Sequence, residues 1–212
     1  MLIHLIRKNY LFFLPYAVLL AVLGYLQLTH SQEQLMQWVN VRNSPAADVL
    51  FPYATYLGDG AFFVVVSMIL MIYSRPVGIM SLASFALSSL VSLFLKQVMY
   101  PHSLRPLKML EHSTFQYHLI KGLDIHSYNS FPSGHTTSAF ALFGLLAFVD
   151  NRKASGWIFL LIAALTGYSR VYLFQHFVED AYAGSLIGTG SSVVVYLAWE
   201  RWAAAKKNRL LP

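Results

Sequence analysis

Long, uninterrupted apolar blocks constrain the fold of this chain more than any other feature of its sequence. The clearest block runs from about Tyr10 to Leu28, and three more cover about 77–95, 157–174 and 178–199. A helix of about 20 apolar residues spans the roughly 30 Å of hydrocarbon in a bilayer. The apolar residues are continuous instead of alternating with polar ones, which favours membrane helices over half-buried strands. We therefore predict an all-α, polytopic membrane protein.

Two shorter apolar blocks raise the predicted number of transmembrane helices to six. One ends at Tyr73, and its helix is expected to start early enough to carry Asp59 near its end. The other opens at His135 and closes near Val149. We expect the six helices to form one domain over residues 1–212, because a chain of this length fits a single compact domain.

Polar stretches of different lengths separate the blocks. Within the stretch 29–52, residues 35–39 are expected to lie in the membrane interface. The loop 97–133 is the longest connection, and structureless loops of that length are usually functional. The remaining stretches are a tight turn at 74–76, a charged turn at 150–153 and a tail at 201–212.

Composition narrows the class of protein and the chemistry open to it. Of the 212 residues, 57% are hydrophobic and 11% are charged, well below the ~25% charged residues of soluble domains. The chain has no cysteine, so disulfides, thiolate metal sites and cysteine nucleophiles are excluded. The net charge of +6 lies near the ends of the apolar blocks. This distribution suits the anionic headgroups of a bilayer and predicts no nucleic-acid partner.

The distribution of lysine and arginine predicts the orientation of the helices. Six helices place both termini on one side of the membrane, and that side carries nine cations: Arg7, Lys8, Arg75, Arg152, Lys153, Arg201, Lys206, Lys207 and Arg209. The other side carries six: Arg42, Lys96, Arg105, Lys108, Lys121 and Arg170. By the positive-inside rule, the termini are expected in the cytoplasm and the long loop outside it.

Three polar clusters between residues 96 and 180 interrupt the apolar sequence. They are Lys96 with Arg105-Pro106, then Ser130 to His135, then Ser169-Arg170 with His176 and Asp180. Together they supply three cations, two histidines, one carboxylate and a glycine-containing turn that leads into a helix. This set suits an oxyanion of the size of phosphate, although Lys and Arg at a membrane edge are also ordinary anchors.

The tetrapeptide Pro132-Ser133-Gly134-His135 leads directly into the fourth apolar block. The first backbone N–H groups of a helix lack internal partners and carry the positive end of the helix dipole. A glycine there lets an anion approach the backbone closely. His135 would then lie beside the anion as a proton donor. The alternative interpretation is a helix cap next to an interfacial histidine.

His176 and Asp180 are four residues apart, and this spacing predicts that they share one helix face. An aspartate beside a histidine fixes its tautomer and supports positive charge on the ring. The other ring nitrogen is then free to act as a nucleophile or base. The alternative is a capping pair at a helix start, with Arg170 as an interfacial anchor. Ionisable residues that border membrane helices favour the functional interpretation.

The three clusters, in this order, resemble the signature of the type 2 phosphatidic acid phosphatase family. That signature consists of a Lys/Arg-Pro element, a PSGH element and an SR-x5-H-x3-D element. The second stands at Pro132 to His135, and the third fits Ser169 to Asp180 without a gap. In the first element the family usually has six residues between Lys and Arg-Pro, whereas eight separate Lys96 from Arg105. The resemblance covers roughly residues 60–190.

The resemblance implies a role for each polar residue. His176 would attack phosphorus and form a phosphohistidine, Asp180 would orient His176, and His135 would protonate the leaving oxygen. The residues expected to bind the phosphate oxygens are Lys96, Arg105, Ser133, Gly134 and Arg170. The family works without a metal or other cofactor, and the chain shows no carboxylate cluster suited to Mg²⁺.

The implied function is that of a metal-independent membrane lipid phosphatase. The phosphate of the substrate would lie at the outer interface, and its tail would lie among the helices. Candidate substrates are undecaprenyl diphosphate, phosphatidylglycerol phosphate, phosphatidate and lipid A. We expect the protein in a bacterial inner membrane, with the active site on its periplasmic or extracellular face.

Three other functions share parts of this pattern. A phosphotransferase would use the same phosphohistidine and pass the phosphate to another lipid. A vanadate-dependent peroxidase, also similar in its anion site, would be soluble. A non-enzymatic lipid transporter would need the helices but not His176 with Asp180. Phosphate release with and without an acceptor lipid distinguishes these functions.

Overall fold

The computed structural model describes residues 1–150, 152 and 154–209. Over these residues the chain is helical and has no β-strand, although an isolated antiparallel bridge joins Leu104 to Tyr128. The prediction of an all-α fold is therefore confirmed. Two residues of the predicted charged turn, Asn151 and Lys153, lie outside the described residues, as does the end of the tail, 210–212.

The described part of the chain forms ten α-helices. They are α1 (Leu2–Lys8), α2 (Tyr10–Thr29), α3 (Gln32–Asn40), α4 (Pro45–Ala54), α5 (Gly60–Tyr73), α6 (Arg75–Phe94), α7 (Pro106–Met109), α8 (Gly134–Val149), α9 (Ser155–Tyr172) and α10 (Val178–Arg209). A 3₁₀ turn, Thr55–Gly58, follows α4, and a π-helical turn, Leu95–Met99, extends α6. The six predicted blocks correspond to α2, α5, α6, α8, α9 and α10.

Helix α8 lies at the centre of the bundle. Nearly every side chain from Thr136 to Phe148 is buried, and α10, α9 and α6 pack around the helix. A helix that is apolar on all sides is expected to be surrounded by other elements. Because the PSGH tetrapeptide leads into α8, this packing carries its residues to the middle of the bundle end.

Two glycines let α10 approach α8 closely. A Cβ atom at Gly188 would lie 2.3 Å from the carbonyl oxygen of Thr137, and one at Gly184 would lie 2.8 Å from that of Ser133. Glycine at both positions is therefore required by the contact between the helices, as in other close helix crossings. The contact holds the first turn of α10, which contains Asp180, beside the first turn of α8.

Three of the described helical segments are long and apolar enough to cross a membrane, namely Tyr10–Thr29, Arg75–Met99 and Val178–Asn208. Pro45–Gly58 and Gly60–Tyr73 meet at an angle of 57° and would make a fourth span if they cross together. Helix α8 is apolar but has only 16 residues. The count of six transmembrane helices therefore stays a prediction.

The prediction that a helix carries Asp59 near its end is wrong. Asp59 has an extended backbone (φ −69°, ψ 142°) and separates the 3₁₀ turn from α5. Its carboxylate accepts a hydrogen bond from the N–H of Ala61 at 2.7 Å. An aspartate that binds the backbone in this way is a preferred N-cap. The residue therefore starts a new helix at a bend instead of lying within one.

The last helix is longer than predicted. Helix α10 has 32 residues and continues to Arg209 instead of ending near Trp199. Residues 200–209 are rich in alanine and lysine, which are good helix formers, and they contain no glycine or proline. Nothing in the local sequence stops the helix where its apolar residues end.

The long loop 97–133 is anchored to the helices at several points. The side chain of Asn40 accepts a hydrogen bond from the N–H of His118 and donates one to its carbonyl oxygen, both at 2.8 Å. The side chain of Gln175, just before α10, donates to the carbonyl of Asp124 at 3.1 Å. These bonds hold the loop against the bundle end at which α8 and α10 begin.

Candidate active site

The buried pair His176 and Asp180 forms the centre of the candidate site. Nδ1 of His176 lies 3.3 Å from Oδ2 of Asp180, and the side chains are 2% and 1% exposed. The prediction that they share a helix face is wrong, because α10 begins at Val178 and His176 precedes it. Asp180 reaches back from the first turn and accepts a hydrogen bond from the N–H of Phe177 at 2.9 Å. A capping turn therefore brings the pair together.

Asp180 has a further partner that the sequence did not reveal. The hydroxyl of Ser130 donates to Oδ2 of Asp180 at 2.5 Å. This carboxylate oxygen thus accepts hydrogen bonds from the hydroxyl of Ser130, the N–H of Phe177 and Nδ1 of His176. Three donors on one oxygen hold the carboxylate in place, and the carboxylate in turn orients the imidazole. Ser130 comes 50 residues before its partner, so no short-range spacing pointed to it.

The turn between α9 and α10 holds His176 close to Arg170. The N–H groups of Gln175 and His176 both donate to the carbonyl of Arg170, at 3.0 and 3.2 Å. Phe174 has a φ of 59°, which is unfavourable for a bulky residue. Its side chain is buried in an apolar cluster with Val171. Packing therefore fixes this turn, and the turn fixes the position of His176 relative to Arg170.

The surroundings of His176 favour its neutral form. Burial, followed by the charges of Arg105 and Arg170, lowers the pKa of His176 well below its usual range. With Nδ1–H directed at Asp180, a neutral ring carries its lone pair on Nε2. The pair can therefore present a nucleophile at neutral pH.

The turn Ser133-Gly134-His135 opens α8 beside this pair. The N–H of Ser133 donates to the main-chain carbonyl of Asp180 at 3.0 Å, and the Ser133 hydroxyl accepts from the N–H of Thr136 at 3.4 Å. A Cβ atom added to Gly134 would meet no atom of the described chain within 4 Å. Packing therefore does not require glycine here, and the open space leaves room for an anion at the helix N-terminus.

Arg105 and Arg170 each have a buried donor atom without a partner. Within the described residues, no acceptor meets Nη1 of Arg105 or Nε of Arg170. Other atoms of the two guanidinium groups are bonded: Nε of Arg105 donates to the carbonyl of Tyr128 at 3.0 Å, and Nη1 of Arg170 donates to the hydroxyl of Thr55 at 2.7 Å. Buried donors are nearly always paired, so these two are available to an oxyanion.

Lys96 joins the site despite its longer spacing from Arg105. Its Nζ donates to the carbonyl oxygen of Asn129 at 2.7 Å and lies 3.5 Å from that of Ser130. Lys96 belongs to the π-helical turn Leu95–Met99. A π-helical turn holds more residues than an α-helical one, so it takes up part of the extra spacing.

A cavity of about 230 Å³ opens at this end of the bundle. Lys96, Gly134 and His135 line it, together with Ser92 of α6 and Gly58 from the bend before α5. A larger apolar groove of about 540 Å³ lies between α2, α3, α9 and α10, and none of the predicted site residues lines it. The smaller cavity is therefore the one that leads to the candidate site.

The predicted site residues thus meet at the start of α8. They provide a nucleophile, a second histidine able to move a proton, and cationic and backbone donors for an oxyanion. Sequence reasoning missed the partners of these residues, which are Ser130, Thr55, Gln175 and Asp59. Within the described residues, no three His, Asp or Glu side chains come together in a way that could hold a metal ion.

Comparison with protein families identifies a match that includes all three polar clusters. The family model described as PAP2 superfamily matches residues 77–203, which is more than half of the chain. This match confirms the resemblance inferred from the signature elements.

Three curated relatives match shorter segments. Bacitracin transport permease protein BcrC of Bacillus licheniformis is 38% identical over 78 residues, 37% of this chain and 35% of that protein. Probable diacylglycerol pyrophosphate phosphatase 1 of Schizosaccharomyces pombe is 37% identical over 82 residues, 32% of this chain and 29% of the relative. Undecaprenyl-diphosphatase BcrC of Bacillus subtilis is 43% identical over 58 residues, 27% of this chain and 28% of the relative. The chain thus spans about a third of the length of these relatives.

Two crystal structures share the fold over most of their length. Aquifex aeolicus LpxE superposes with a TM-score of 0.68 and 28% identity, covering 77% of this chain and 93% of LpxE. The first transmembrane PAP2 type phosphatidylglycerolphosphate phosphatase from Bacillus subtilis gives 0.64 and 24% identity, covering 92% and 96% of the two chains. With helices long and apolar enough to cross a bilayer, this fold indicates an integral membrane protein. The chain belongs to the PAP2 superfamily.

Proposed function

We propose that this protein hydrolyses a phosphate monoester or diphosphate carried by a membrane lipid. One observation carries the proposal: the buried His176 lies near buried donors of Arg105 and Arg170 that have no partner among the described residues. A nucleophile beside unpaired cationic donors suits attack on phosphorus. Neither a capping role nor a packing role requires that combination.

The reaction would begin with attack of Nε2 of His176 on phosphorus. As the N–P bond forms, the bond between phosphorus and the leaving oxygen breaks, and His135 gives that oxygen a proton. Asp180 stabilises the positive charge that develops on the attacking ring. The neutral His135 then accepts a proton from the water that hydrolyses the phosphohistidine, and phosphate is released.

The other predicted site residues would bind the oxygens of the phosphoryl group. These are Lys96, Arg105, Arg170, the hydroxyl of Ser133 and the N–H of Gly134. Phosphoryl transfer depends mainly on positioning and on stabilising charge at these oxygens. Three cations and a helix N-terminus supply positive charge for that purpose.

A lipid is the proposed carrier of the phosphate. The names of three similar proteins refer to lipid phosphates: an undecaprenyl-diphosphatase, a diacylglycerol pyrophosphate phosphatase and a phosphatidylglycerolphosphate phosphatase. The candidate site also lies at the end of an apolar helix bundle, where the headgroup of a lipid meets water. The proposed substrates are undecaprenyl diphosphate, phosphatidylglycerol phosphate, phosphatidate and lipid A.

Phosphate release by the purified chain in detergent tests the proposal on a panel of these four lipids. We expect release from at least one of them. Transfer to an added acceptor lipid, in place of release, would identify a phosphotransferase that uses the same residues. Failure to release or transfer phosphate with every lipid would contradict the proposal.

Lipid or drug transport without chemistry is a second candidate, because one relative is named as a bacitracin transport permease. Such a transporter would have no need for a histidine oriented by Asp180, or for Ser130 bound to that carboxylate. Transport that survives the loss of His176 would favour this alternative, whereas transport that requires His176 would favour catalysis.

Activity is expected to be independent of divalent metal ions. The proposed charge stabilisation comes from Lys96, Arg105 and Arg170, so EDTA should leave phosphate release unchanged. Vanadate, a tetrahedral oxyanion similar to phosphate, should inhibit by competing for these residues. Loss of release in EDTA with recovery on adding Mg²⁺ would show that a metal takes part.

The active site is proposed to face the outside of the cell, with both termini in the cytoplasm. Because the chain has no cysteine, single cysteines report orientation without background. Gln116→Cys, on the exposed part of the long loop, should react with a membrane-impermeant maleimide in intact cells. Ala204→Cys, exposed near the end of α10, should react only after lysis. The opposite pattern would place the site in the cytoplasm.

A further inference from the structure

The bend between α4 and α5 presses against the first turn of α8. A Cβ atom at Gly58 would lie 2.4 Å from the carbonyl oxygen of His135 and 2.8 Å from Cγ2 of Thr166. Contacts this close leave room for glycine only. Gly58 and Gly60 both line the cavity that contains His135 and Lys96. The bend therefore presents the residue between the two glycines, Asp59, to the proposed proton donor.

The carboxylate of Asp59 uses its two oxygens differently. Oδ1 accepts the N–H of Ala61 at 2.7 Å and caps α5. Oδ2 lies 3.9 Å from Nε2 of His135, which is the distance of a close charge pair and is longer than a hydrogen bond. The cap fixes the rotamer of Asp59, so the free oxygen stays directed at the imidazole. Both side chains are partly exposed, Asp59 at 42% and His135 at 32%, and His135 lines the cavity.

Among the described residues, the other charges that act on His135 are positive. They are Arg170 from α9, Arg105 from the long loop and Lys96 from the turn after α6. These cations bind the oxyanion in the proposed mechanism, but they also oppose a proton on the neighbouring imidazole. Asp59 is the acid that faces His135 among the described residues. The negative charge of Asp59 therefore favours a proton on the ring of His135.

We propose that Asp59 is a positioning residue that favours the protonated form of His135 and so supports delivery of its proton to the leaving oxygen. The inference rests on the proposed phosphatase function. In the step concerned, the phosphorus–oxygen bond breaks, its electron pair stays on the leaving oxygen, and that oxygen takes the proton from His135. Asp59 touches neither substrate nor phosphorus and acts only through the charge of the ring.

Two substrates with different leaving groups test this role. A long-chain alkyl phosphate has a poor leaving group that needs a proton, whereas p-nitrophenyl phosphate releases p-nitrophenolate, which is a stable anion. Asp59→Asn keeps the size of the side chain and the oxygen that caps α5, but it removes the charge. We expect Asp59→Asn to lower kcat/KM for the alkyl phosphate about tenfold to a hundredfold, since general acid catalysis contributes about 10²–10⁴-fold. The kcat/KM for p-nitrophenyl phosphate should change by less than about threefold.

Two further variants separate the role of the charge from that of the cap. Asp59→Ala removes both, and it should lower the Tm while adding little to the kinetic loss seen with Asp59→Asn. In the background of His135→Ala, Asp59→Asn should cause no further loss on the alkyl phosphate, because both changes remove the same proton transfer. Glu200→Gln, an exposed neutralisation on α10, is the control and should match the wild type.

Each outcome has a clear meaning. Equal losses on both substrates, or full additivity with His135→Ala, would overturn the assignment and leave Asp59 as a helix cap. Wild-type kinetics of Asp59→Asn on the alkyl phosphate would also overturn it while leaving the phosphatase function standing. Absence of phosphate release by the wild type from every substrate would overturn the phosphatase function, and this inference with it.

Discussion

Replacing His176 with alanine is expected to lower kcat/KM for lipid phosphate hydrolysis by about four orders of magnitude or more. The imidazole would form the covalent bond to phosphorus, and loss of a nucleophile that works as a unit with its partners has effects of this size. The cations would still bind the phosphate, so KM should change far less than kcat. Steady-state phosphate release in detergent, on one lipid substrate, measures the effect.

A histidine outside the site provides the control for this variant. His112 lies on the long loop with its side chain 94% exposed, and His112→Ala should behave like the wild type. Thermal unfolding of His176→Ala should remain cooperative, which would show that the loss is chemical. Retention of more than about a tenth of wild-type turnover by a folded His176→Ala protein would refute the proposed nucleophile.

Asp180→Asn is expected to lower kcat by about 10³–10⁴-fold, the scale of the corresponding change in a serine protease triad. The neutral amide can no longer stabilise the positive charge that develops on the attacking ring. With its oxygen in the position of Oδ2, the asparagine can still accept from Ser130 and from the N–H of Phe177, so the turn should persist.

Asp48 offers a matched control for this substitution. Its carboxylate also contacts a histidine, with Oδ2 of Asp48 2.9 Å from Nε2 of His118. This pair joins α4 to the long loop and includes none of the predicted site residues. Asp48→Asn should leave kcat within about threefold of the wild type. If Asp180→Asn and Asp48→Asn had similar small effects, Asp180 would be a helix cap without a role in catalysis.

The properties that the sequence alone predicted depend on residues close together in the chain. Continuous apolar blocks are sufficient to predict helices, and five of the six predicted blocks match helices whose starts differ by only a few residues. The spacing from Ser169 to Asp180 and the PSGH tetrapeptide were sufficient to recognise the family. The family match and the all-α fold confirmed these predictions, whereas the catalytic roles stay proposals that kinetics must test.

Local patterns were insufficient wherever two local structures compete. Four-residue spacing predicted a shared helix face for His176 and Asp180, but a capping turn forms instead because the carboxylate binds a free N–H at the helix start. Asp59 was likewise predicted to lie within a helix, but its carboxylate caps the start of α5 instead. In both cases a short acidic side chain found a backbone donor, and apolar periodicity carries no information about that competition.

The sequence by itself determined the six helices of the apolar blocks, the family and the identity of the residues that carry the proposed chemistry. Only the tertiary structure decided how those residues are supported. Ser130 reaches Asp180, Thr55 reaches Arg170 and Asp59 approaches His135 because α8 is surrounded on all sides and glycines let its neighbours come close. Ser130 and Asp180 are 50 residues apart in the chain, and Thr55 and Arg170 are 115 residues apart. Contacts over such separations form only when the whole bundle packs, so no spacing within a single segment could have predicted them.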